Sequence, residues 1–237
     1  MDWSKYQAAL FDLDGVLTPT SELHMRAWSD LFNGYLASIG MPADYSDQDY
    51  FAYVDGKPRY AGVSAFLASR GIGLPQGDPS DEPEKETICG LGNRKNEVFN
   101  QLLQDQGIQA YRGSRQLVEA LQARDIKLAV VSSSRNANEV LASAELADFF
   151  PIVVDGVYAA DNSLSGKPAP DTFRRAAELL SVSPEQAVVF EDALSGVAAG
   201  KAGGFGMVVG VDRGAGEQEL KAAGADLVVT DLAELLP

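Results

Sequence analysis

The sequence predicts an α/β fold, in which a doubly wound parallel sheet forms the core and a helical domain is inserted into that core. Two observations lead to this prediction. Six short apolar runs, five of them rich in valine, are spaced along the chain, and most are separated by helical patterns. A long stretch without any such run lies between the first and the second. Strands that are apolar on both faces and alternate with helices are typical of parallel sheets covered on both sides.

The six predicted strands lie in YQAALFD (6–12), KLAVVSSS (127–134), IVVDG (152–156), QAVVFED (186–192), FGMVVGV (205–211) and ADLVVTD (225–231). Helical spacing, with Pro, Ser or Asp near the start, indicates helices in 135–146, 168–180, 193–203 and 216–224.

The inserted stretch contains amphipathic helices only. They are expected in 21–40, 46–56, 59–71 and 93–107, and the segment GIGLPQGDPSDEPEKE (71–86) is rich in Gly, Pro and acids and is predicted to be an exposed loop. The resulting division is a core domain formed by 1–19 and 107–237 and a helical domain at 20–106.

Composition excludes several classes of partner. The 237 residues carry a net charge of −15, which argues against nucleic acid and anionic membrane as partners. No apolar run approaches the roughly 18 residues of a membrane span. The single cysteine, Cys89, suits a reducing compartment, and the N-terminal residues do not resemble a secretory leader. We therefore expect a cytoplasmic protein, as a monomer or a weak homodimer.

Paired acids end two of the predicted strands. Asp12 and Asp14 follow the first strand in DLDG, and Glu191 and Asp192 end QAVVFED. Side chains alternate along an extended segment, so Asp12 and Asp14 point the same way. Adjacent carboxylates repel one another unless a cation compensates, and such oxygen ligands suit Mg²⁺. The pattern predicts a metal and acid–base site, against the ordinary alternatives of turn formation and helix capping.

The two strands between carry hydroxyl and basic residues at their ends. The second is followed by Ser132, Ser133, Ser134, Arg135 and Asn136 at the expected start of a helix, where hydroxyls and backbone N–H groups favour phosphate binding. The third is followed by Lys167, which lies between Gly166 and Pro168 and can place an ammonium next to an anion. The competing interpretations are a serine N-cap and a solvated lysine.

The order of these four motifs along the chain, DxD, Ser, Lys and ED, resembles the haloacid dehalogenase-like phosphotransferase superfamily. The resemblance covers essentially the whole chain. It implies a Rossmann-like core, a C1-type helical cap in the inserted stretch, and an Mg²⁺-dependent reaction through an aspartyl-phosphate.

The resemblance also assigns roles. Asp12 would be the nucleophile, and Asp14 would protonate the leaving group and later deprotonate the attacking one. Asp12, Asp192 and the backbone carbonyl of Asp14 would bind Mg²⁺, with Glu191 alongside. Ser132 and Lys167 would hold the phosphoryl group.

Within the superfamily the chain is most similar to the β-phosphoglucomutase group. In FDLDGVLTPTSELHMRAW the group's hinge threonine and its histidine fall on Thr20 and His24. A cap arginine that binds the distal phosphate falls on Arg59, beside Gly56, and RKN at 94–96 matches a cap motif whose lysine contacts the sugar. The matched positions in the cap are therefore Gly56, Arg59, Lys95 and Asn96, and SSSRN supplies Ser134 and Asn136, with Arg135 nearby.

The sequence departs from this group at two places in particular. Asp55 stands where a lysine is common before Gly56, and Pro19 stands where an acid is common. We expect a mutase that converts β-glucose 1-phosphate into glucose 6-phosphate through a bisphosphate. The alternatives are a phosphatase of small sugar phosphates and, more remotely, a non-catalytic sugar-phosphate-binding module. The partner in each case is a small phosphorylated sugar.

Overall fold

The computed structural model describes all 237 residues, Met1–Pro237. Its sheet has six strands: β1 (Ala8–Phe11), β2 (Lys127–Val131), β3 (Ile152–Val154), β4 (Ala187–Glu191), β5 (Met207–Val211) and β6 (Leu227–Val229). All neighbouring strands are parallel, in the order β3-β2-β1-β4-β5-β6. Every predicted strand is present, and the predicted fold class is confirmed. The strand order reverses between β1 and β4, which is where ligands bind in open α/β sheets.

The α-helices are α1 (Thr20–Ser38), α2 (Asp47–Asp49), α3 (Arg59–Ser69), α4 (Ile88–Gln106), α5 (Arg112–Gln122), α6 (Ala137–Ser143), α7 (Gly156–Asp161), α8 (Asp171–Leu179), α9 (Leu194–Gly203) and α10 (Glu217–Ala223). A π-helical turn at Tyr50–Val54 follows α2, and short 3₁₀ turns lie at Trp3–Lys5, Ala147–Phe149, Pro184–Gln186 and Leu232–Leu235. No helix has the length and apolar character that a membrane span requires.

The chain divides into two compact units, Met1–Thr20 with Ile108–Pro237, and Ser21–Gly107. The first unit holds the sheet, and its core includes residues of five strands packed against Phe173, Val197 and Leu220 of the flanking helices. The second unit is helical and has its own aromatic core around Phe32, Phe66 and neighbouring side chains. Each unit therefore buries a cluster of its own apolar side chains.

Helix α4 begins at Ile88, five residues before the predicted start. Thr87 caps it by accepting a hydrogen bond from the Gly90 N–H at 2.9 Å. Gly90 and Gly92 in its first turns resemble turn residues in the sequence, but in the structure both are sites where other atoms pack closely against the helix. A Cβ at Gly90 would lie 2.2 Å from the Lys85 carbonyl oxygen, and one at Gly92 would lie 2.8 Å from the Tyr60 ring.

The loop before α4 is not uniformly exposed, and the prediction is wrong at Asp81, which is 8% exposed. Its carboxylate accepts hydrogen bonds from the Thr87 hydroxyl at 2.7 Å and the Asp78 N–H at 3.0 Å, and it pairs with Lys85 Nζ at 2.5 Å. The hydrogen bonds from Lys85, Thr87 and Asp78 lower the pKa of Asp81 to about 2. This carboxylate is therefore a structural centre of the loop.

Candidate active site

The register of the sheet brings the predicted strand-end residues together. Phe11 at the end of β1 lies opposite Val130 of β2 and Phe190 of β4. The next residue, Asp12, continues the ladder, since its N–H donates to the Phe190 carbonyl at 2.9 Å. Asp12 therefore emerges beside Glu191 at the carboxyl edge of the sheet, and Ser132 emerges from the neighbouring strand β2.

A buried ion-pair cluster occupies this edge. Lys167 Nζ lies 2.5 Å from Asp12 Oδ1, donates to the Val131 carbonyl at 3.1 Å, and pairs with Glu191 Oε1. The side chains of Lys167 and Glu191 are 3% and 1% exposed. The Phe173 ring lies 5.0 Å from the ammonium. Lys167 is therefore not the solvated loop lysine of the ordinary interpretation.

The charges of this cluster do not balance. Burial alone would lower the pKa of Lys167, but the carboxylates of Asp12 and Glu191 outweigh it and raise that pKa, so the ammonium stays charged. The pKa of Asp12 is raised by burial and by the carboxylates of Glu191 and Asp14, against the opposing effect of Lys167. One ammonium thus faces several acids, and the site has a surplus of negative charge that a cation would relieve.

Three carboxylates of this edge are placed as metal ligands would be. Asp12, Glu191 and Asp192 each offer one oxygen, and these oxygens lie within 4.8 Å of one another. Glu191 is also engaged elsewhere, because its Oε2 accepts the Ala193 N–H at 3.1 Å and its Oε1 pairs with Lys167. The donor set is all oxygen and carries surplus negative charge, which fits Mg²⁺.

Asp14 has a different environment from Asp12. Its Oδ1 accepts a hydrogen bond from the Thr20 hydroxyl, and its Oδ2 lies 3.5 Å from the Ser132 hydroxyl. Thr20 is fully buried and its hydroxyl also lies 2.8 Å from that of Thr18. The two acids of DLDG are thus separated into one that contacts a lysine and one that contacts hydroxyl groups.

The serine segment forms a tight loop whose hydroxyls bind its own backbone. Ser132 Oγ accepts the Ser134 N–H at 3.0 Å, and Ser134 Oγ accepts the Asn136 N–H at 3.1 Å. Asn136 occupies the cap position of α6 but makes no capping bond with its side chain, and Ser132 does not cap the helix either. Two of the N–H groups expected to face a phosphate are therefore used within the loop.

Neighbouring residues fix this loop from the side of β3. The Gly156 N–H donates to the Ser134 carbonyl at 2.8 Å. A Cβ at Gly156 would lie 2.8 Å from the Ser133 carbonyl oxygen and 3.1 Å from Arg135 Cγ, so glycine is required for this approach. This role could not be predicted from the sequence, because Gly156 resembles an ordinary turn residue.

Two further glycines make room for the acids. Gly15 has φ +80°, and a Cβ there would lie 1.8 Å from Asp192 Oδ2. A Cβ at Gly196 would lie 1.8 Å from Glu191 Oε1. Ala193, and not Asp192, occupies the N-cap position of helix α9.

The predicted residues of the helical unit form a second group. His24 stacks on Phe99 with ring centroids 4.1 Å apart, and its Nδ1 contacts Lys95 Nζ. Lys95 is 3% exposed, and its ammonium lies 5.0 Å from the Trp28 ring and 4.7 Å from the Phe99 ring. A buried lysine is thus held between a histidine and two aromatic rings.

Arg59 and Asn96 also lie together. Arg59 Nη2 donates to Asn96 Oδ1 at 2.7 Å, and Nη1 lies 3.4 Å from Asn93 Oδ1. Gly92 permits this arrangement, because a Cβ there would lie 3.1 Å from Arg59 Cδ. Gly56, three residues before Arg59, has φ +69° and turns the chain into α3.

Comparison with known proteins identifies the class of this fold and site. The sequence family of the haloacid dehalogenase-like hydrolases matches this chain over residues 6–204. The chain belongs to this family, and the predicted resemblance is confirmed.

The relatives define the branch of the family. A β-phosphoglucomutase of Mycobacterium bovis is 52% identical over 98% of this chain and 92% of its own length. A phosphorylated carbohydrates phosphatase of Thermotoga maritima is 32% identical over 86% of this chain and 85% of its own. The crystal structure of a β-phosphoglucomutase from Clostridium difficile superposes with a TM-score of 0.78 at 26% identity, covering 97% and 93% of the two chains. The chain is an enzyme of the β-phosphoglucomutase-like branch, an isomerase or a phosphatase, as the sequence predicted.

Proposed function

We propose that this enzyme is an Mg²⁺-dependent phosphotransferase that forms an aspartyl-phosphate on Asp12, and that it converts β-glucose 1-phosphate into glucose 6-phosphate through a bisphosphate. The observation that carries the proposal is the buried Asp12–Lys167–Glu191 cluster beside Asp192, in a chain 52% identical to a β-phosphoglucomutase. The substrate is accordingly a small phosphorylated sugar.

In the proposed step an oxygen of Asp12 attacks phosphorus. A bond forms between that oxygen and phosphorus, and the bond from phosphorus to the oxygen of the departing group breaks. Lys167, which contacts Asp12 at 2.5 Å, keeps its positive charge and offsets the charge of the phosphoryl oxygens. Ser132, whose hydroxyl lies at the end of the neighbouring strand, donates to the same phosphoryl group.

Asp14 is the proposed acid and base of the reaction. It gives a proton to the departing oxygen and removes one from the hydroxyl that attacks the aspartyl-phosphate afterwards. Thr20 donates to its Oδ1 and orients the carboxyl group. The different contacts of Asp12 and Asp14 therefore support different roles for two acids that are one residue apart.

The metal proposal follows from the charge of the cluster. Asp12, Asp192 and the backbone carbonyl of Asp14 would hold Mg²⁺, with Glu191 alongside, since both Glu191 oxygens are already engaged. When bound, the cation would neutralise phosphoryl oxygens that otherwise repel a carboxylate nucleophile.

A second basic residue, Arg59, in addition to Lys167, favours a mutase. A reaction through a bisphosphate needs a site for a second phosphate, whereas simple hydrolysis of a monophosphate does not. Arg59 is proposed to bind that phosphate, oriented by its bond to Asn96, with Ser134, Arg135 and Asn136 assisting. Lys95 is proposed to contact the sugar and His24 to orient Lys95. In this proposal residues 20–106 act as a cap.

The competing function is hydrolysis of sugar phosphates, and the 32% identity to a phosphorylated carbohydrates phosphatase supports it. The two reactions share every step up to the aspartyl-phosphate, and they differ in whether a sugar hydroxyl or water accepts the phosphoryl group. A non-catalytic module is disfavoured because the nucleophile, the lysine and the acids are all present and assembled.

One assay separates the two enzymes. The protein is incubated with β-glucose 1-phosphate, a catalytic amount of glucose 1,6-bisphosphate and Mg²⁺, and products are followed by ³¹P NMR. A mutase accumulates glucose 6-phosphate without inorganic phosphate. Release of inorganic phosphate without glucose 6-phosphate would refute the mutase proposal and leave the phosphatase. The Lys167→Ala variant is the control for turnover by contaminants.

A further inference from the structure

We propose that Arg213, in the loop after β5, is a positioning residue for the phosphoryl-transfer reaction: it clamps the loop 13–18 that carries Asp14. The inference rests on the proposed function for its kinetic part. None of the sequence motifs includes Arg213. It lies 198 residues along the chain from Gly15, the loop residue to which it donates a hydrogen bond.

The loop 13–18 is short and folded on itself. The Gly15 N–H donates to the Thr18 carbonyl at 2.8 Å, and the Leu17 and Thr18 N–H groups both donate to the Leu13 carbonyl, at 2.9 and 3.0 Å. These bonds shape the loop, but none of them attaches it to the rest of the first unit.

The attachment comes from three successive carbonyls. Gly15 O accepts from Arg213 Nε at 2.8 Å, Val16 O accepts from the Ser114 hydroxyl at 2.7 Å, and Leu17 O accepts from the Tyr111 N–H at 2.9 Å. Two of the three donor residues also contact each other, because the Arg213 guanidinium lies 4.0 Å from the centre of the Tyr111 ring. The loop is therefore held by a clamp made of Arg213, Ser114 and Tyr111.

The side chain of Arg213 is held on three sides. Nε donates to the Gly15 carbonyl, Nη1 donates to the Thr230 carbonyl at 2.9 Å, and the guanidinium carbon lies over the Tyr111 ring. Arginine suits this position because its planar group offers donors in fixed directions and stacks on aromatic rings, whereas a lysine ammonium offers one flexible charge.

Gly15, to which Arg213 donates, lies next to both the proposed acid–base residue and a proposed metal ligand. Gly15 follows Asp14, the proposed acid and base. The space where a Gly15 side chain would lie is filled by the carboxylate of Asp192, a proposed metal ligand. A shift of the Gly15 backbone would therefore move Asp14 and disturb Asp192 together. Mutation of residues that orient metal ligands without binding the metal typically lowers activity or metal affinity by about 10–100-fold.

The test compares Arg213→Ala with Arg115→Ala. Arg115 is the matched control because it also binds two carbonyls, those of Ala144 at 2.8 Å and Glu145 at 3.1 Å, at the end of α6. For Arg213→Ala we expect kcat to fall at least about tenfold with KM within about twofold. We expect kcat of Arg115→Ala to stay at the wild-type value.

Two readouts separate positioning from a loss of folded enzyme. Hydrogen exchange should quicken in Arg213→Ala for the amides of residues 13–18 and remain unchanged in the strands. Millimolar guanidinium should restore part of kcat to Arg213→Ala, while urea at the same concentration should not. The kcat of Arg213→Lys should lie between those of the wild type and Arg213→Ala.

The inference is overturned if exchange of residues 13–18 is unchanged, if exchange rises throughout the unit, or if guanidinium and urea act alike. Ser114→Ala removes the neighbouring bond and should give a smaller loss of kcat in the same direction. If the wild-type enzyme does not convert the sugar phosphate, the proposed function fails. Faster exchange confined to residues 13–18 in Arg213→Ala would still support the clamp.

Discussion

The substitution Gly15→Ala tests how the loop after β1 and the acids after β4 depend on one another. A Cβ at this position would lie 1.8 Å from Asp192 Oδ2 and 2.6 Å from Asp192 Cγ, although real Cβ atoms essentially never come closer than 3.0 Å to another heavy atom. The Asp192 carboxylate must therefore retreat by about 1 Å or more. Displacement on this scale is expected to lower kcat by about 100-fold.

The metal should report the same displacement independently. Since Asp192 is a proposed Mg²⁺ ligand, its retreat should weaken apparent Mg²⁺ affinity by about tenfold or more. The assay is turnover of β-glucose 1-phosphate as a function of Mg²⁺ concentration, with calorimetric titration of Mg²⁺ into the substrate-free protein.

Gly204→Ala is the matched control. Gly204 has φ +72°, close to the +80° of Gly15, but a Cβ there has nothing within 4 Å. Both variants should therefore lose about 1–2 kcal/mol of stability from the left-handed backbone, whereas only Gly15→Ala should lose activity and metal affinity. Equal kcat and equal Mg²⁺ dependence in the two variants would refute the placement of Asp192 beneath the loop.

Three further predictions follow from the buried charges. Asp12→Asn should abolish turnover of every phosphorylated substrate but leave the Tm in Mg²⁺-free buffer unchanged or higher, because it removes a carboxylate whose pKa burial raises; retained turnover would contradict the nucleophile assignment. Gly196→Ala should cost about 3 kcal/mol or more in denaturant unfolding, because it forces apart the buried ion pair of Glu191, which is 1% exposed; wild-type stability would refute this contact. Asp81→Asn should lower the Tm at neutral pH, since the pKa of Asp81 is lowered from 3.8 to about 2; that difference should shrink as pH falls between these values, and one that persists at pH 2 would contradict the assignment.

The sheet and its chemical edge could be predicted because each depends on local patterns. Every strand is a short apolar run, and the acids and serines directly follow such runs, whereas Lys167 lies in the loop between α7 and α8. Parallel strands all end at the same edge, so neighbouring strand ends must bring Asp12 and Glu191 together. The register places Asp12 beside Glu191.

The contacts that tune the site could not be predicted, because they join positions that no local pattern connects. The pairing of Arg213 with Gly15 spans 198 residues and uses a backbone carbonyl, which leaves no trace in side-chain types. Gly15 and Gly196 carry no side chain that would indicate a role, although each makes room for a carboxylate.

The helical unit shows the same limit. The start of α4 was hidden because Gly90 and Gly92 resemble turn residues, whereas both are sites of close packing. In the unit that holds the sheet, helix α7 is only six residues long, which is too short for a periodic pattern. It depends on Asp155, whose carboxylate caps it by accepting hydrogen bonds from the N–H groups of Val157 and Tyr158. In the helical unit, Asp81 resembles the other acids of its loop in the sequence, whereas in the structure it is buried and hydrogen-bonded to Thr87.

The most direct test of the proposed mechanism is to locate the transferred phosphoryl group. The enzyme is mixed with Mg²⁺ and glucose 1,6-bisphosphate labelled in its phosphates, quenched in acid within the first turnover, and digested for mass spectrometry. We predict label on the peptide that contains Asp12, and its transfer into sugar phosphate when unlabelled β-glucose 1-phosphate is added before the quench. Absence of label on Asp12 would contradict the aspartyl-phosphate, and transfer of all label into inorganic phosphate would contradict phosphoryl exchange with a sugar phosphate.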